Sequence, residues 1–297
     1  MAHIPVMLSE VLELLQLKKG MRCIDMTVGL GGHSAAMLGK IGEEGFLLGL
    51  DRDAESLPLA SEKLKALGPN FRLEHSDYAK VFEVAKEVDF GLANAILCDC
   101  GISSYQLDSQ ERGFGFGEGI PLDMRLDRSE NFKASDLLNT LQEDELSEIF
   151  FRYGDERLAR PIARAIVRKR TEKSFEEAEQ LAKLVSGVYF RKGFKHSRVH
   201  PATRVFQALR VAVNHELLSL EEGLDGAIKL LAPGGRLAVI SFHSGEDRIV
   251  KLAFRRFAKE LEFGSIITKK PLTPGQEEIA ANPRARSALL RVFEKNI

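Results

Sequence analysis

Asp25-Met26-Thr27-Val28-Gly29-Leu30-Gly31-Gly32-His33-Ser34 follows the short apolar run Arg22–Met26 and opens a helix-like segment near His33–Gly39. Glycines at a strand-to-helix turn let the backbone approach a ligand closely and expose amides at the helix N-terminus. Asp51 ends the next apolar run, Phe46–Leu50, and stands 20 residues past Gly31. A carboxylate so placed can accept hydrogen bonds from both hydroxyls of a ribose. A glycine turn followed by a solvated strand-end Asp is the plainer alternative, but the spacing favours a nucleotide-type ligand. The dinucleotide fingerprint wants a third glycine at position 34, where Ser34 stands. Asp25, just before the turn, suits an ammonium group better than a pyrophosphate. Both points favour S-adenosylmethionine over NAD.

Working outward, the first hundred residues alternate strand and helix patterns. Ser9 can cap a helix Glu10–Leu15, Ala54–Leu67 reads as helix, Phe71–His75 as strand, Tyr78–Glu87 as helix and Ala93–Cys98 as a fourth strand ending on Asp99. This order implies a parallel sheet with helices on both faces. Gly101–Ala134 is long and irregular, with Gly113-Phe114-Gly115-Phe116-Gly117, and long loops of this kind tend to be functional. Ser135–Arg191 reads as helices alone. Ala202–Leu231 is helical, Ala232–Gly235 a turn, Arg236–Ile240 a strand and Glu246–Glu262 a helix. Gly264–Thr268 and Ser287–Phe293 can pair as final antiparallel strands. The expectation is an α/β core, residues 1–104 and 201–297, interrupted by an all-helical insertion at 105–200.

The 297 residues carry 42 Lys+Arg against 43 Asp+Glu, a net charge of −1, so any nucleic-acid site must be a local patch. The longest stretch free of charged side chains, Met26–Gly39, is 14 residues and glycine-rich, too short to span a bilayer. No signal-peptide pattern opens the sequence. Cys23, Cys98 and Cys100 lie in apolar runs and form no C-x-x-C pair, as expected of reduced thiols in the cytoplasm.

Two further features bear on function. Asp99-Cys100-Gly101-Ile102-Ser103-Ser104-Tyr105-Gln106 lies at the carboxyl end of strand four, where open α/β sheets bind ligands. Methylation of an exocyclic amine needs acceptors aimed at its N–H groups, because these favour a pyramidal nitrogen and free a lone pair otherwise delocalised into the ring. A strand-end Asp with nearby carbonyls and an aromatic could supply that. Secondly, Gln180–His215 holds no acid but has Lys183, Arg191, Lys192, Lys195, Arg198, Arg204 and Arg210. Arg157, Arg160, Arg164 and Arg168 recur at helical spacing, although Pro161 disfavours helix at Arg160. A solvated helix face is the ordinary reading of such a run; two basic stripes in a neutral protein point to local phosphate contacts with RNA. His33, His200 and His243 show no metal-ligand spacing, so structural roles are expected and no metal is. Phe114 and Phe116 can stack on a base or anchor their loop. Ser241 and Ser244 lack a triad context.

Taken together, these segments resemble the ribosomal RNA small subunit methyltransferase H family, the bacterial 16S rRNA cytosine-N4 methyltransferases. The matching stretches are His3-Ile4-Pro5-Val6-Met7-Leu8, Gly29–Ser34, Asp51-Arg52-Asp53, Asp99–Asp108, Arg112-Gly113-Phe114, Pro121-Leu122-Asp123-Met124-Arg125, Tyr153-Gly154-Asp155-Glu156-Arg157, His200-Pro201-Ala202-Thr203-Arg204, Ser241-Phe242-His243-Ser244 and Asn282–Ser287. They run in the family's order over nearly the whole chain. The resemblance implies a class I (Rossmann-like) methyltransferase sheet with an inserted helical domain. It implies S-adenosylmethionine contacts at Gly31, Gly32, His33, Asp51, Tyr78, Asp99 and Gln106. Tyr78 stands where the family often has Phe, and either ring can pack on adenine. It also implies a cytidine substrate in the decoding region of the small subunit.

The expected chemistry is direct in-line methyl transfer with no metal and no covalent enzyme intermediate, with Asp99 as the catalytic candidate. Arg157, Arg164, Arg168 and Arg204 are the candidate RNA contacts. A DNA amino-methyltransferase would carry Asp/Asn/Ser-Pro-Pro-aromatic at strand four, which Asp99-Cys100-Gly101-Ile102 does not match. An NAD-dependent oxidoreductase is disfavoured by Ser34, and a non-catalytic RNA-binding assembly factor would leave the cofactor residues unexplained.

Overall fold

The computed structural model describes residues 4–194 and 200–296. Two compact units form, one from the chain up to Gly101 and from Leu217 onward, the other from Ile102–Glu216.

The first unit is built on seven strands: β1 (Arg22–Asp25), β2 (Phe46–Asp51), β3 (Phe71–His75), β4 (Ala93–Asp99), β5 (Leu231–Ser241), β6 (Gly264–Ile266) and β7 (Leu289–Lys295). Their order is β3-β2-β1-β4-β5-β7-β6. β1 to β5 run parallel, and β7 lies antiparallel between β5 and β6. This is the class I methyltransferase sheet that the family resemblance implied. Successive side chains of a strand point to opposite faces, and the central strands are apolar on both. Ile24, Leu48, Ile96, Cys98, Leu237 and Val239 enter one core, with Val81, Leu224, Val250 and Phe254 from the helices that cover it. Cys23, Leu47, Ala95, Leu97, Ala238 and Ile240 enter the other, with Val11, Met37, Leu38 and Leu64. Continuous apolar runs rather than alternation are what a doubly covered parallel sheet requires.

The register leaves a notch at the carboxyl edge. Asp25, the last residue of β1, lies level with Gly49 of β2 and Leu97 of β4. Asp51 and Asp99 therefore stand two residues beyond it on either side. The strand order reverses here, where open α/β sheets form their ligand crevice.

Several local expectations change. The first helix is Leu8–Leu15, so Ser9 lies inside it rather than capping it; Met7 is the N-cap residue, and its amide donates to Glu278 Oε1 at 2.7 Å. The turn expected at Ala232–Gly235 is an outward bulge of β5, since β4–β5 pairing shifts from Ala93↔Leu231 to Ala95↔Arg236. The helical run expected from Ala202 to Leu231 is two helices, Thr203–Val213 and Glu216–Leu230, separated where His215 adopts φ 51°.

The second unit packs the helices Ala134–Thr140, Glu143–Gly154, Ala159–Arg170, Ala178–Arg191 and Thr203–Val213. Apolar residues at helical spacing make its core: Leu146 and Phe150, Ile162 and Ile166, Leu181 and Val185, Val205 and Leu209. Thr203–Val213 belongs to this core, so the boundary expected at residue 200 lies at Glu216. Pro161 sits in the first turn of its helix, where the missing N–H has no intrahelical partner to lose. Asn214 pins the long loop: its Oδ1 accepts from Leu126 N at 2.7 Å and its Nδ2 donates to Met124 O at 2.8 Å.

Candidate active site

The turn after β1 is held from inside. Asp25 is fully buried; its Oδ1 accepts from Thr27 N at 3.1 Å and its Oδ2 from Ser34 Oγ at 2.5 Å. Ser34 thus stands where a dinucleotide fold has glycine because its hydroxyl satisfies a buried carboxylate. Asp25, read from sequence as facing an ammonium group, turns inward instead. Gly31 caps the helix Gly32–Ile41 in the left-handed region, φ 71°, which glycine adopts without strain. A Cβ on Gly32 would lie 2.6 Å from Pro5 Cγ, so that glycine is required by the chain's own packing.

Asp51 closes the turn from β2. Its Oδ2 accepts from Gly29 N at 2.6 Å and its Oδ1 from Asp53 N at 2.8 Å. Asp99 lies across the notch. Its backbone N–H donates to Thr27 Oγ1 at 2.7 Å, and its Oδ2 is 3.5 Å from His33 Nδ1. Asp99 Oδ1 is buried with no hydrogen-bond partner among the described residues. His33 Nε2 lies 2.9 Å from Val6 O. A carbonyl only accepts, so Nε2 carries the proton and the neutral ring turns a lone pair toward Asp99. Burial lowers the His33 pKa to about 4, consistent with that neutral ring.

The electrostatics identify what the notch would hold. Burial pushes Asp25 and Asp51 up to about 6 each, and Asp99 well above the usual carboxylate range. The charge of Asp25 raises both neighbours further. No Lys or Arg among the described residues pairs with any of the three. Buried like charges without a counter-ion are costly. A ligand bringing positive charge relieves that cost, whereas a pyrophosphate adds to it. The residues therefore fit S-adenosylmethionine, which carries a sulfonium and an ammonium, and do not fit NAD.

Tyr78 begins a short 3-10 turn and packs on the helix Glu216–Leu230, where a Cβ on Gly223 would lie 3.0 Å from its ring. Asp77, which the sequence reading passed over, organises this corner. Its Oδ1 accepts from Ala79 N at 2.8 Å, and its Oδ2 accepts from Ser219 Oγ at 2.8 Å and pairs with Arg52 at 3.3 Å. An Asp immediately before a helical turn is a capping signature that could have flagged it. Thr27, which seats Asp99, carries no comparable signal.

Other expected residues settle into structural roles. His243 caps the helix Ser244–Lys259 through Nδ1. His200 Nδ1 accepts from Ala202 N, and its ring stacks on Phe116 at 4.6 Å. Phe116 also meets Phe206 edge-on, and Phe114 is buried, so both rings anchor the glycine loop. Cys23, Cys98 and Cys100 are buried free thiols. Within the helical unit Gln106 closes a capping box, its Oε1 accepting from Ser103 N at 2.8 Å.

Among the arginines, Arg160, Arg164 and Arg168 share the helix Ala159–Arg170; Arg157 precedes it and, with Arg160 and Arg164, lines a groove that also holds Glu143, Asp144, Glu148 and Glu156. Arg157 therefore lies outside the helix, although it lines the same groove as Arg160 and Arg164. Arg164 Nε reaches Glu143 at 3.1 Å, and Arg204 Nη1 donates to Asp155 O at 3.3 Å. Lys195, Arg198 and His3 lie outside the described residues.

Comparison with known proteins agrees with this geometry. The chain is 46% identical to "Ribosomal RNA small subunit methyltransferase H" of Citrifermentans bemidjiense, over 99% of this chain and 98% of that protein. It is 46% identical to the protein of the same name in Geobacter sulfurreducens, over 99% of each. To that of Symbiobacterium thermophilum it is 41% identical, over 99% of this chain and 96% of the other. The sequence profile of the MraW methylase family matches residues 1–296. With that match along its length and these relatives covered nearly end to end, the chain belongs to the MraW methylase family.

Proposed function

We propose that this chain transfers a methyl group from S-adenosylmethionine to the N4 amine of a specific cytidine in the decoding region of 16S rRNA. In a chain of this family, the observation that carries the reading is the carboxylate cluster Asp25, Asp51 and Asp99, without a cationic partner at the topological switch. The bound cofactor supplies an electrophilic sulfonium methyl for in-line transfer. Asp51 accepts the ribose hydroxyls, the Gly31-Gly32-His33 turn completes the cofactor contacts of the sheet unit, and the Tyr78 ring packs beside adenine. Asp99 offers its unsatisfied Oδ1 to the N–H groups of the cytosine amine, with the neutral His33 ring beside Oδ2. As the N–C bond formed and the S–C bond broke, S-adenosylhomocysteine would leave and the nitrogen would gain positive charge until its surplus proton passed to solvent. A preorganised acceptor stabilises that charge. No metal or covalent intermediate is needed. The helical unit supplies the RNA surface, with Arg164, Arg168 and Arg204 as contacts. The reaction takes place in the cytoplasm on the small subunit or its RNA, not on DNA. No helix among the described residues is long and apolar enough to cross a membrane.

Mass spectrometry of 16S rRNA nucleosides from cells lacking the gene tests this. N4-methylated cytidine should disappear, return with the wild-type gene, and stay absent with Asp99→Asn. Its persistence in the deletion strain refutes the assignment.

A further inference from the structure

The helices Ala159–Arg170 and Ala178–Arg191 pack side by side and leave a groove of about 480 Å3 between them. Five cations line it, Arg160, Arg164, Arg168, Arg191 and Lys192, over a floor of small apolar side chains, and no acid does. Only Arg164 is paired, to Glu143. The side chains of Arg160, Arg168, Arg191 and Lys192 make no hydrogen bond or ion pair among the described residues. A neighbouring groove on the helix Ala159–Arg170, about 920 Å3, mixes the signs, Glu143, Asp144, Glu148 and Glu156 with Arg157, Arg160 and Arg164, so the groove between the two helices is set apart by having cations alone.

Like charges one helical turn apart oppose one another. Three such arginines facing two more cations, with Glu143 on Arg164 and Glu172 near enough to Arg168 to feel its charge, leave an excess of positive charge that an added anion would balance. Residues four apart on a helix are about 6 Å apart along its axis, comparable to the separation of successive phosphates on one strand. A single small anion would engage one or two of these side chains; a chain of phosphates can engage all of them. Phe190, 70% exposed and next to Arg191, offers a ring of the kind on which an unpaired base stacks.

We propose that this groove clamps the phosphate backbone of the substrate RNA, with Arg160, Arg168, Arg191 and Lys192 each holding a phosphate. The inference rests on the RNA-methyltransferase reading above and deepens it, adding Arg160, Arg191 and Lys192 to Arg168 and giving them one groove and one ligand group.

The test uses full-length protein and a decoding-region fragment of 16S rRNA, with affinity measured across a salt series. The groove variant carries Arg160→Gln, Arg168→Gln, Arg191→Gln and Lys192→Gln. A control removes the same charge from exposed sites in the sheet unit: Lys18→Gln, Lys19→Gln, Lys40→Gln and Lys65→Gln. Each lost phosphate contact lowers the slope of log affinity against log salt by ~0.7–0.9, so the groove variant should lose about 3 and bind at least tenfold more weakly at low salt. The control should keep nearly the wild-type slope, and cofactor affinity should hold in both. A groove variant with the wild-type slope overturns the proposal, as does a control that loses as much. Preferential binding of wild-type protein to anionic phospholipid vesicles, abolished in the groove variant, would also overturn it. Should the fourfold variant unfold, Arg160→Gln with Arg191→Gln should still remove about half the effect. If wild-type protein fails to methylate the fragment, the functional reading fails; if it methylates while the groove variant keeps its slope, the groove alone fails.

Discussion

The carboxyl edge of the sheet and the groove of the helical unit carry opposite charge, and each is built differently. Asp25, Asp51 and Asp99 come from three separate strands, and parallel pairing gathers them into a buried notch. Arg160, Arg164 and Arg168 come from one helix and stand in solvent, where the 3.6-residue period alone aligns them. Burial makes the first site sensitive to protonation and nearly blind to salt; exposure makes the second sensitive to salt and nearly blind to pH. A net charge of −1 conceals both fields. The lesson is that recognition follows how charge is distributed and buried, not its sum.

The sharpest way to break this contrast is at Asp99. Asp99→Asn keeps the size but removes the charge and turns half the acceptor capacity into donor. Single-turnover methyl transfer should fall by ~10²-fold or more. Cofactor affinity in the same variant then divides the role: a large loss places Asp99 on the cofactor, whereas unchanged affinity places it on the amine. Near-normal turnover would reject both.

Asp51→Ala should weaken S-adenosylmethionine binding by ~1.5–3 kcal/mol, the usual loss for a charged hydrogen-bonding group. Calorimetry giving an unchanged Kd in a folded variant would remove Asp51 from the ribose.

The pH dependence has a definite sign. Asp25 and Asp51 titrate near 6 in the folded chain, above their unfolded values. The folded state therefore holds more protons between about pH 4 and 6, and the free protein loses stability as pH rises through that window. A cation in the notch reverses the trend for the complex by favouring the carboxylates. S-adenosylmethionine should bind up to about tenfold more tightly at pH 7 than at pH 5, with proton release on binding. S-adenosylhomocysteine, which lacks the sulfonium charge, should show a smaller change. Equal pH profiles for the two would contradict the cation argument.

The smallest effect belongs to Arg157. In its acid-lined groove, Arg157→Gln should change the salt slope of RNA binding by well under the ~0.7–0.9 expected of one phosphate contact. A full unit of change would return Arg157 to the RNA surface.

How much of this could be read in advance depended on the range of the forces involved. Strands β1 to β4 and Asp51 were legible because short apolar runs, glycine turns and strand-end acids are local signals. Ser34 is legible as a departure from the dinucleotide pattern, but its bond to Asp25 depends on Asp25 being buried, which only the covered sheet determines. The unpartnered Oδ1 of Asp99 and the neutral His33 beside it are likewise products of tertiary packing. In the helical unit the arginine period was legible, yet Arg157 fell off the helix because Leu158 is its N-cap residue. The domain boundary was misplaced because Val205 and Leu209 look the same in sequence whichever core they fill. Asn214, whose bonds span 88 and 90 residues, has no local signature at all.

The central claim is that this chain methylates the exocyclic amine of one cytidine in small-subunit RNA. Its most direct test incubates the protein with small-subunit RNA and deuterium-labelled S-adenosylmethionine, followed by nuclease digestion and mass spectrometry. Label confined to N4 of a single decoding-region cytidine, and lost with Asp99→Asn, is the result expected here. Label on a ring carbon or another base, or no label on RNA that lacks the modification, would contradict it.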